Sequence, residues 1–286
     1  MAAAPDQSGN APPPQGALRK DISLFGVFAL SVGTTISSGL FLLPGLAFAQ
    51  AGPAILVSYL IAGIAFLPPC LCKSELATAM PRAGGVYFYI DRAFGPLAGA
   101  IAGPSTWISL TLKTSFALVG SGYYIGLFLP DPPVLLIAVG LAVAFGLLNI
   151  FGAGKAAKLQ AGLVVGVLIL LLWFILTGTV DIDTSRFSGF WDAGGDTVAS
   201  MIGVVFVSYM GLTKVASVAE EVRNPERNLP LGILLGLSTA VIVYICGIAV
   251  MIGTLPADQL ATTYTPAADA AEVFAGRTGL IVISIA

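Results

Sequence analysis

Long hydrophobic runs separated by short polar segments occupy the chain from residue 24 onward. Each run has the length of a helix that crosses the hydrocarbon core of a bilayer, which takes about 20 apolar residues. The runs predict seven membrane spans, at residues 24–46, 54–72, 97–128, 133–151, 160–180, 197–218 and 229–253, and the beginning of an eighth near Arg277. We number the spans one to eight along the chain. The pattern therefore predicts an all-α membrane protein.

The two ends of the sequence differ from each other. Residues 1–20 are rich in Pro, Ala, Gln and Gly and contain no apolar core. A secretory signal peptide needs such a core, so this segment is interpreted as a disordered cytoplasmic tail. The other end is still hydrophobic at Ala286, in the run GLIVISIA. We therefore expect the sequence to be part of a longer protein.

Composition excludes several functional classes. Hydrophobic residues make up 57% of the chain and charged residues 10%, with a mean hydropathy of +0.93. A soluble domain has about 25% charged residues, so the solvent of this chain must be lipid. The absence of histidine argues against the commonest hydrolase and metal sites, and Cys70, Cys72 and Cys246 are expected to be free thiols. The sequence has no phosphate-binding loop and no compact basic patch, so we expect no cofactor, no metal, no nucleic acid partner and no enzymatic activity.

The distribution of Lys and Arg predicts the orientation. If the N-terminus is cytoplasmic, nine of the 13 basic residues lie on the cytoplasmic side, and only Arg186 and Arg277 lie on the other side. The remaining two, Lys113 and Lys214, fall inside spans. Because cytoplasmic loops are enriched in Lys and Arg, the chain is predicted to cross the plasma membrane several times with its N-terminus in the cytoplasm.

Spans one and six are unusually polar in their middles. Residues 31–45, SVGTTISSGLFLLPG, include three glycines, three serines, two threonines and a proline, and residues 206–217, FVSYMGLTKVAS, are similar. The two spans occupy corresponding positions if the protein consists of two five-span repeats. Interrupted spans at matching positions in two halves are typical of the binding site of a secondary transporter. Small and hydroxyl residues also pack membrane helices closely, which is the alternative interpretation.

An interrupted helix exposes backbone groups that need partners, because an unpaired N–H or C=O in hydrocarbon costs several kcal/mol. The N-terminus of a half-helix offers free N–H groups and a positive dipole to a carboxylate. The C-terminus of the opposing half-helix offers free carbonyls to an ammonium group. The pattern therefore predicts a docking site for a zwitterion.

Three stretches resemble the amino acid–polyamine–organocation permeases. They are VGTTISSGLF in span one, ELATAMPRAGGVYFYIDRAFGP between spans two and three, and SVAEEVRNPERNLPLGI after span six. The second stretch is the most specific of the three. The resemblance implies an inverted-repeat (5+5, LeuT-like) transporter fold, truncated here after about seven spans plus the start of an eighth. Residues 21–180 would then form the first five-span repeat, and residues 181–286 would begin the second.

The resemblance also implies a set of substrate-binding residues. Span one would line its interruption with Thr35, Ser37, Ser38 and Gly39, the last two at the substrate carboxylate. Span six would offer the carbonyls of Val207, Met210 and Gly211 to the amino group, with Phe206 and Tyr209 closing the pocket and Ser109 and Thr114 approaching from span three. Many relatives have an acidic residue at the position of Thr213. Its absence favours a neutral over a cationic amino acid.

Lys113 lies near the middle of span three, too deep for its amine to reach the membrane surface easily. A charged lysine at that depth costs about 2.5–3.5 kcal/mol on insertion scales. One interpretation is structural, with the amine holding carbonyls of the interrupted spans in place. The other is functional, with the amine in the position of a coupling cation, gaining and losing a proton during transport.

Taken with the resemblance, these features predict a secondary active transporter of amino acids that works by alternating access. The coupling ion is predicted to be a proton, with sodium as the alternative. A non-transporting amino acid sensor, or an exchanger, that uses the same pocket is the alternative function. Residues 80–95 are predicted to be a cytoplasmic loop with a turn at Gly84-Gly85, serving either as a gate or as an ordinary surface loop.

Overall fold

The computed structural model of the protein describes residues 20–80, 84–150 and 153–286. The predicted tail up to residue 19, and Arg82 in the segment between spans two and three, lie outside the described residues. The described residues are almost entirely helical and contain no β-strand. The predicted all-α fold is confirmed.

The helices follow the predicted order of spans. Span one comprises Leu24–Thr35, Ser38–Phe41 and Leu43–Ala51, and span two comprises Ile55–Ala65 and Leu67–Ala79. Spans three, four and five are Pro96–Gly126, Val134–Ile150 and Ala153–Gly178. Span six is Gly195–Phe206, continued by the 3-10 helix Val207–Glu221, and span seven is Pro225–Thr254. The predicted start of span eight lies within a last helical run, Pro266–Ile285. Outside the spans lie the helices Val86–Phe94 and Ala257–Thr262 and short 3-10 segments at Gly52–Ala54, Thr179–Asp181 and Thr184–Phe187.

Local sequence explains where several helices begin. Pro96, Pro225 and Pro266 each occupy the first position of a helix, where the missing N–H has no intrahelical partner to lose. Span one begins after Ser23, whose hydroxyl accepts a hydrogen bond from the N–H of Gly26 at 3.4 Å. Caps of this kind satisfy the first backbone donors of a helix.

Several parts of the described chain are long and apolar enough to cross a membrane. Four such segments are Leu43–Ala79, Gln160–Asp181, Gly195–Glu221 and Pro225–Thr254. Leu24–Thr35 and Val134–Leu148 are shorter apolar helices. The prediction of a membrane protein with several spans is therefore confirmed.

Two boundaries differ from the sequence-based prediction. The prediction of a loop at 80–95 was wrong for Val86–Phe94, which form a helix. Gly85 and Gly95 flank that helix, with φ of +52° and +88°. The nine residues between them include no Gly or Pro, so nothing in that stretch interrupts a helix. The last helical run starts at Pro266 and is interrupted at Gly276, whose φ is +60°, so the predicted start near Arg277 follows that interruption directly.

Span one lies at the centre of the described structure, in contact with spans five, six and seven. Glycines permit its close approach to span seven. A Cβ atom added at Gly232 would lie 2.3 Å from Cγ1 of Val27, and one added at Gly236 would lie 2.8 Å from Cβ of Ser31. Small residues at such contacts are typical of helix packing in membranes.

The segment before span one pairs with the end of span six. The N–H of Ile22 donates to the carbonyl of Glu221 at 3.0 Å, and the N–H of Arg223 donates to the carbonyl of Ile22 at 2.9 Å. This isolated parallel bridge joins Ile22 to Val222. The N-terminal segment and the connection between spans six and seven therefore lie on the same side of the bundle, as the basic residues predict.

Candidate functional site

The backbone of span one is interrupted at the predicted position. The first helix ends at Thr35 and the next begins at Ser38, and Ser37 between them has φ −155° and ψ −136°. No described residue accepts a hydrogen bond from the backbone N–H of Ser37, Ser38 or Gly39. Three adjacent donors are therefore available to an anionic group at this point.

Side-chain hydroxyls of tyrosines satisfy carbonyls on both sides of the interruption. Tyr244 donates to the carbonyl of Thr35 at 2.8 Å, and Tyr59 donates to the carbonyl of Gly39 at 2.7 Å. Tyr124 donates to the carbonyl of Phe41 at 2.8 Å. The three tyrosines come from spans seven, two and three, and all are buried. The opened backbone is thus stabilised on its acceptor side by the surrounding spans, while its donors stay free.

Span six changes its helix type at its polar stretch. The α-helix ends at Phe206 and a 3-10 helix runs from Val207 to Glu221, with a distortion at Val218. Gly211 lies directly against span one, because a Cβ atom added there would be 1.9 Å from the carbonyl oxygen of Thr34. The hydroxyl of Thr34 donates to the carbonyl of Gly211 at 2.8 Å. A residue with a side chain at position 211 would force the two backbones apart.

The amine of Lys113 lies between the two polar stretches. Its Nζ donates to the carbonyl of Thr34 at 3.2 Å and to the carbonyl of Ser208 at 3.4 Å. Lys113 therefore connects span three to both spans one and six. The contact agrees with either interpretation of this residue, since a structural lysine and a coupling lysine would both contact these carbonyls.

A cavity of about 320 Å³, which we call the central cavity, lies between spans one, three and six. It brings together half of the residues singled out from the sequence. The lining comprises Ser38, Gly39, Leu43, Ser109, Leu112, Lys113, Phe116, Val207, Ser208 and Met210. The donors of span one and the amine of Lys113 thus border the same space.

The other predicted residues lie elsewhere. Thr35, Tyr209 and Gly211 are buried in helix contacts, and Tyr209 donates to the carbonyl of Tyr59 at 3.0 Å. Ser37 lines a separate cavity of about 430 Å³, and Phe206 lines a third. Thr114 is exposed, and its hydroxyl donates to the carbonyl of Leu110 within its own helix.

Sequence reasoning missed Ser208 and the tyrosines. The hydroxyl of Ser208 is buried, has no hydrogen-bond partner among the described residues, and belongs to a residue that lines the central cavity. Its place in the polar stretch of span six was a signal that could have found it. Tyr59, Tyr124 and Tyr244 gave no such signal, because tyrosines are common in apolar spans and contacts between distant spans are invisible in a single sequence.

The described residues contain no group of three or more His, Cys, Asp or Glu side chains that could hold a metal ion. The central cavity is therefore a site built from backbone N–H groups, hydroxyls and one amine. Such a set of groups can bind the carboxylate of a small molecule and orient it.

Comparison with known proteins gives the family. Residues 22–286 match the amino acid permease family. Branched-chain amino acid permease BcaP of Bacillus subtilis (strain 168) is 29% identical over 264 residues, which is 85% of this chain and 57% of that protein. The vacuolar cationic amino acid transporter 4 of Arabidopsis thaliana is 33% identical over 266 residues, 84% of this chain and 44% of that protein. The methylthioribose transporter of Bacillus subtilis (strain 168) is 27% identical over 262 residues, 85% of this chain and 57% of that protein.

The chain spans about half the length of the curated relatives it matches. The family match nevertheless extends over nearly all of the chain, and the motifs of span one, of the segment between spans two and three, and of the end of span six fall inside it. The family consists of permeases and not of enzymes. With its several apolar spans and its interrupted first span, the chain belongs to the amino acid permease family, within the amino acid–polyamine–organocation group.

Proposed function

We propose that this chain is part of a secondary active transporter that moves amino acids across the plasma membrane by alternating access. The observation that supports it best is the set of three unpaired N–H groups at Ser37, Ser38 and Gly39. Two of these residues line the central cavity. We infer that the substrate carboxylate accepts hydrogen bonds from these donors, which are otherwise costly to leave unpaired in a membrane.

The amino group of the substrate would then lie toward span six. The unpaired hydroxyl of Ser208 borders the central cavity and can accept a hydrogen bond from it. Val207 and Met210 line the same space. The carbonyl of Gly211 is a weaker candidate than the sequence suggested, because it already accepts a hydrogen bond from Thr34.

We infer a substrate without a positively charged side chain. Thr213 stands where an acidic residue would attract such a side chain, and its hydroxyl accepts a hydrogen bond from Nζ of Lys73 at 2.8 Å. A second cation at this point would meet repulsion from Lys73. The relatives include both branched-chain and cationic amino acid transporters, so their names do not decide the charge of the substrate. The argument for an uncharged or acidic side chain rests on the contact between Thr213 and Lys73.

We infer that Lys113 couples transport to protons. Its amine contacts carbonyls of both interrupted spans, at 3.2 Å to Thr34 and 3.4 Å to Ser208, and so places a positive charge between them. A lysine can release its proton in an apolar environment, whereas a bound sodium ion must leave the site. Loss of the proton would weaken both contacts and loosen span three from spans one and six.

The test uses the full-length protein reconstituted into liposomes, with a panel of radiolabelled amino acids supplied under a pH gradient. Wild-type protein should accumulate its substrate when the gradient is imposed and without sodium. Lys113→Met, which keeps the length of the side chain and removes its charge, should still bind or exchange substrate but lose accumulation. Lys20→Met removes a charge from an exposed position outside the central cavity and should behave as wild type.

Each outcome tests a different part of the proposal. Undiminished accumulation by Lys113→Met, or a strict sodium requirement in the wild type, would contradict proton coupling through Lys113. Binding of amino acids without net flux or exchange by the wild type would indicate a sensor in place of a transporter. Absence of both binding and flux for every amino acid would contradict the proposed function itself.

We further propose that residues 21–180 form the first five-span repeat and that residues 181–286 begin the second. We also propose that the N-terminus is cytoplasmic. The pairing of Ile22 with Val222 supports a shared side for the first segment and the 219–229 connection. Labelling of single cysteines in intact cells tests the orientation. An impermeant reagent should label Ser185→Cys and leave Glu226→Cys unlabelled, and the reverse pattern would invert the topology.

A further inference from the structure

A second cavity, of about 550 Å³, adjoins the central cavity on the predicted cytoplasmic side. We call it the vestibule. It lies between the end of span two, the turn at Gly84-Gly85, the first half of span three and the end of span six. Ser109 and Met210 line both cavities, so the two spaces share a wall. A substrate that leaves the central cavity toward the cytoplasm would pass through this space.

The charges that line the two cavities all have the same sign. Lys73 and Lys214 line the vestibule and Lys113 lines the central cavity, while no described aspartate or glutamate lines either one. None of the three amines forms an ion pair with a described residue, since the ion pairs found among those residues are Arg186–Asp183 and Arg223–Asp21. The path is therefore positively charged along its described length.

Each amine keeps donors that are not used. A lysine ammonium group has three N–H donors, and Nζ of Lys73 gives one of them to the hydroxyl of Thr213. No described residue accepts a hydrogen bond from the side-chain amine of Lys214. Ser105 and Thr106 also line the vestibule, but their hydroxyls donate to carbonyls of their own helix, so the unused donors are those of the amines. Because ammonium donors without a partner pair most strongly with negatively charged oxygens, an anionic ligand would gain most from this arrangement.

We propose that the vestibule is a carboxylate subsite, and that the transported substrate is an amino acid with a second acidic group, of the aspartate or glutamate type. The α-carboxylate binds the free N–H groups of span one, and Lys73 and Lys214 attract and bind the side-chain carboxylate along the cytoplasmic path. The proposal rests on the proposed transport function and narrows it. It excludes cationic amino acids more strongly than Thr213 alone does, since three positive charges oppose them.

The test compares glutamate with glutamine, which has nearly the same shape and no side-chain charge. Competition for uptake into liposomes containing the full-length wild-type protein should favour glutamate by roughly tenfold, the effect of one hydrogen bond to a charged group. Lys214→Gln and Lys73→Gln should each bring the ratio of glutamate to glutamine close to one. Lys20→Gln changes the net charge equally at an exposed site outside both cavities and should leave the ratio as in the wild type.

Two variants distinguish loss of the carboxylate subsite from misfolding of the protein. Lys73→Arg should retain the preference for glutamate, and Lys214→Gln changes an exposed side chain on which no described residue depends. Equal uptake of glutamate and glutamine by the wild type, or a preference for lysine, would overturn the carboxylate subsite while leaving amino acid transport intact. An unchanged ratio in both glutamine variants would also overturn it. Failure of the wild type to move any amino acid would instead contradict the proposed transport function.

Discussion

Spans one and six have similar polar stretches but different backbones. In span one the helix opens at Ile36 and Ser37, and three N–H groups are left without a described acceptor. In span six the chain keeps hydrogen-bonded turns from Val207 to Glu221 by changing from α to 3-10 geometry. The same composition of Gly, Ser and Thr thus produces an opened helix in one place and a tightened helix in the other.

The neighbours of each span explain the difference. Span one is opened where Tyr244 and Tyr59 satisfy the freed carbonyls. Span six is tightened where Gly211 lies against the backbone of Thr34, and a 3-10 helix is narrower than an α-helix. The resulting site is asymmetric, because donors for an anion are free whereas several acceptors for a cation are already occupied by tyrosines and Lys113.

The largest effect is expected from Gly211→Ala. A methyl group at this position would lie 1.9 Å from the carbonyl oxygen of Thr34 and 2.8 Å from the N–H nitrogen of Thr35, which are backbone atoms and cannot rotate away. We expect a loss of stability of about 3 kcal/mol or more. Thermal unfolding followed by size-exclusion chromatography measures it. Gly203→Ala lies in the same span, but the new methyl group would have no described atom within 4 Å beyond its chain neighbours and its own helix backbone, so this variant should unfold as the wild type does.

Removal of one tyrosine hydroxyl should have the next largest effect. Tyr244→Phe removes the shorter of two hydroxyl hydrogen bonds to the carbonyl of Thr35, leaving that of Ser37 at 3.4 Å, and also removes a hydrogen bond to the carbonyl of Ser208. Removing a hydrogen-bond donor from two buried carbonyls at once costs about 1–3 kcal/mol. Tyr123→Phe is the matched control, because the Tyr123 ring stacks on Tyr264 at 4.6 Å and its hydroxyl makes no hydrogen bond to a described residue. Equal melting temperatures for the two variants would show that the opening of span one does not depend on Tyr244.

Gly39→Ala tests the free donors of span one. The new methyl group would lie 2.6 Å from Cβ of Ser208 and 2.9 Å from the hydroxyl oxygen of Tyr244. These side chains can shift, so the protein should fold, but the N–H groups would be displaced from the cavity. We expect substrate affinity to fall about tenfold, as for one lost hydrogen bond to a charged group. Binding of radiolabelled substrate measures this. Gly166→Ala is the control, because its added methyl group would have no described atom within 4 Å beyond its chain neighbours and its own helix backbone.

The smallest effect is expected from Ser38→Ala. The hydroxyl of Ser38 makes no hydrogen bond to a described residue, so its removal should leave the melting temperature unchanged. Affinity should fall by at most about 1 kcal/mol, or fivefold, if the hydroxyl assists the backbone. A larger loss than in Gly39→Ala would show that the side chain of Ser38, and not the backbone of span one, holds the carboxylate.

The sequence predicted the helical class, the order of the spans and the position of the opening in span one. Hydropathy and the small, polar residues of 31–45 determine these features locally. The tyrosine contacts could not be predicted, since Tyr244 lies 209 residues from the carbonyl it satisfies. The 3-10 geometry of span six could not be predicted either. It accompanies the close contact between Gly211 and Thr34 and does not follow from the helix propensity of the stretch itself.

The bridge between Ile22 and Val222 sets a limit on when the protein can complete its assembly. Arg223 donates to the carbonyl of Lys20 across 203 residues of sequence. At a synthesis rate of about 5–20 residues per second, span one waits roughly 10–40 s in the translocon or the bilayer before its partner emerges from the ribosome. Its opened backbone has no tyrosine from span seven during that time. The nascent first span must therefore be held by other groups, and a stall in translation before span seven would leave it exposed to quality control.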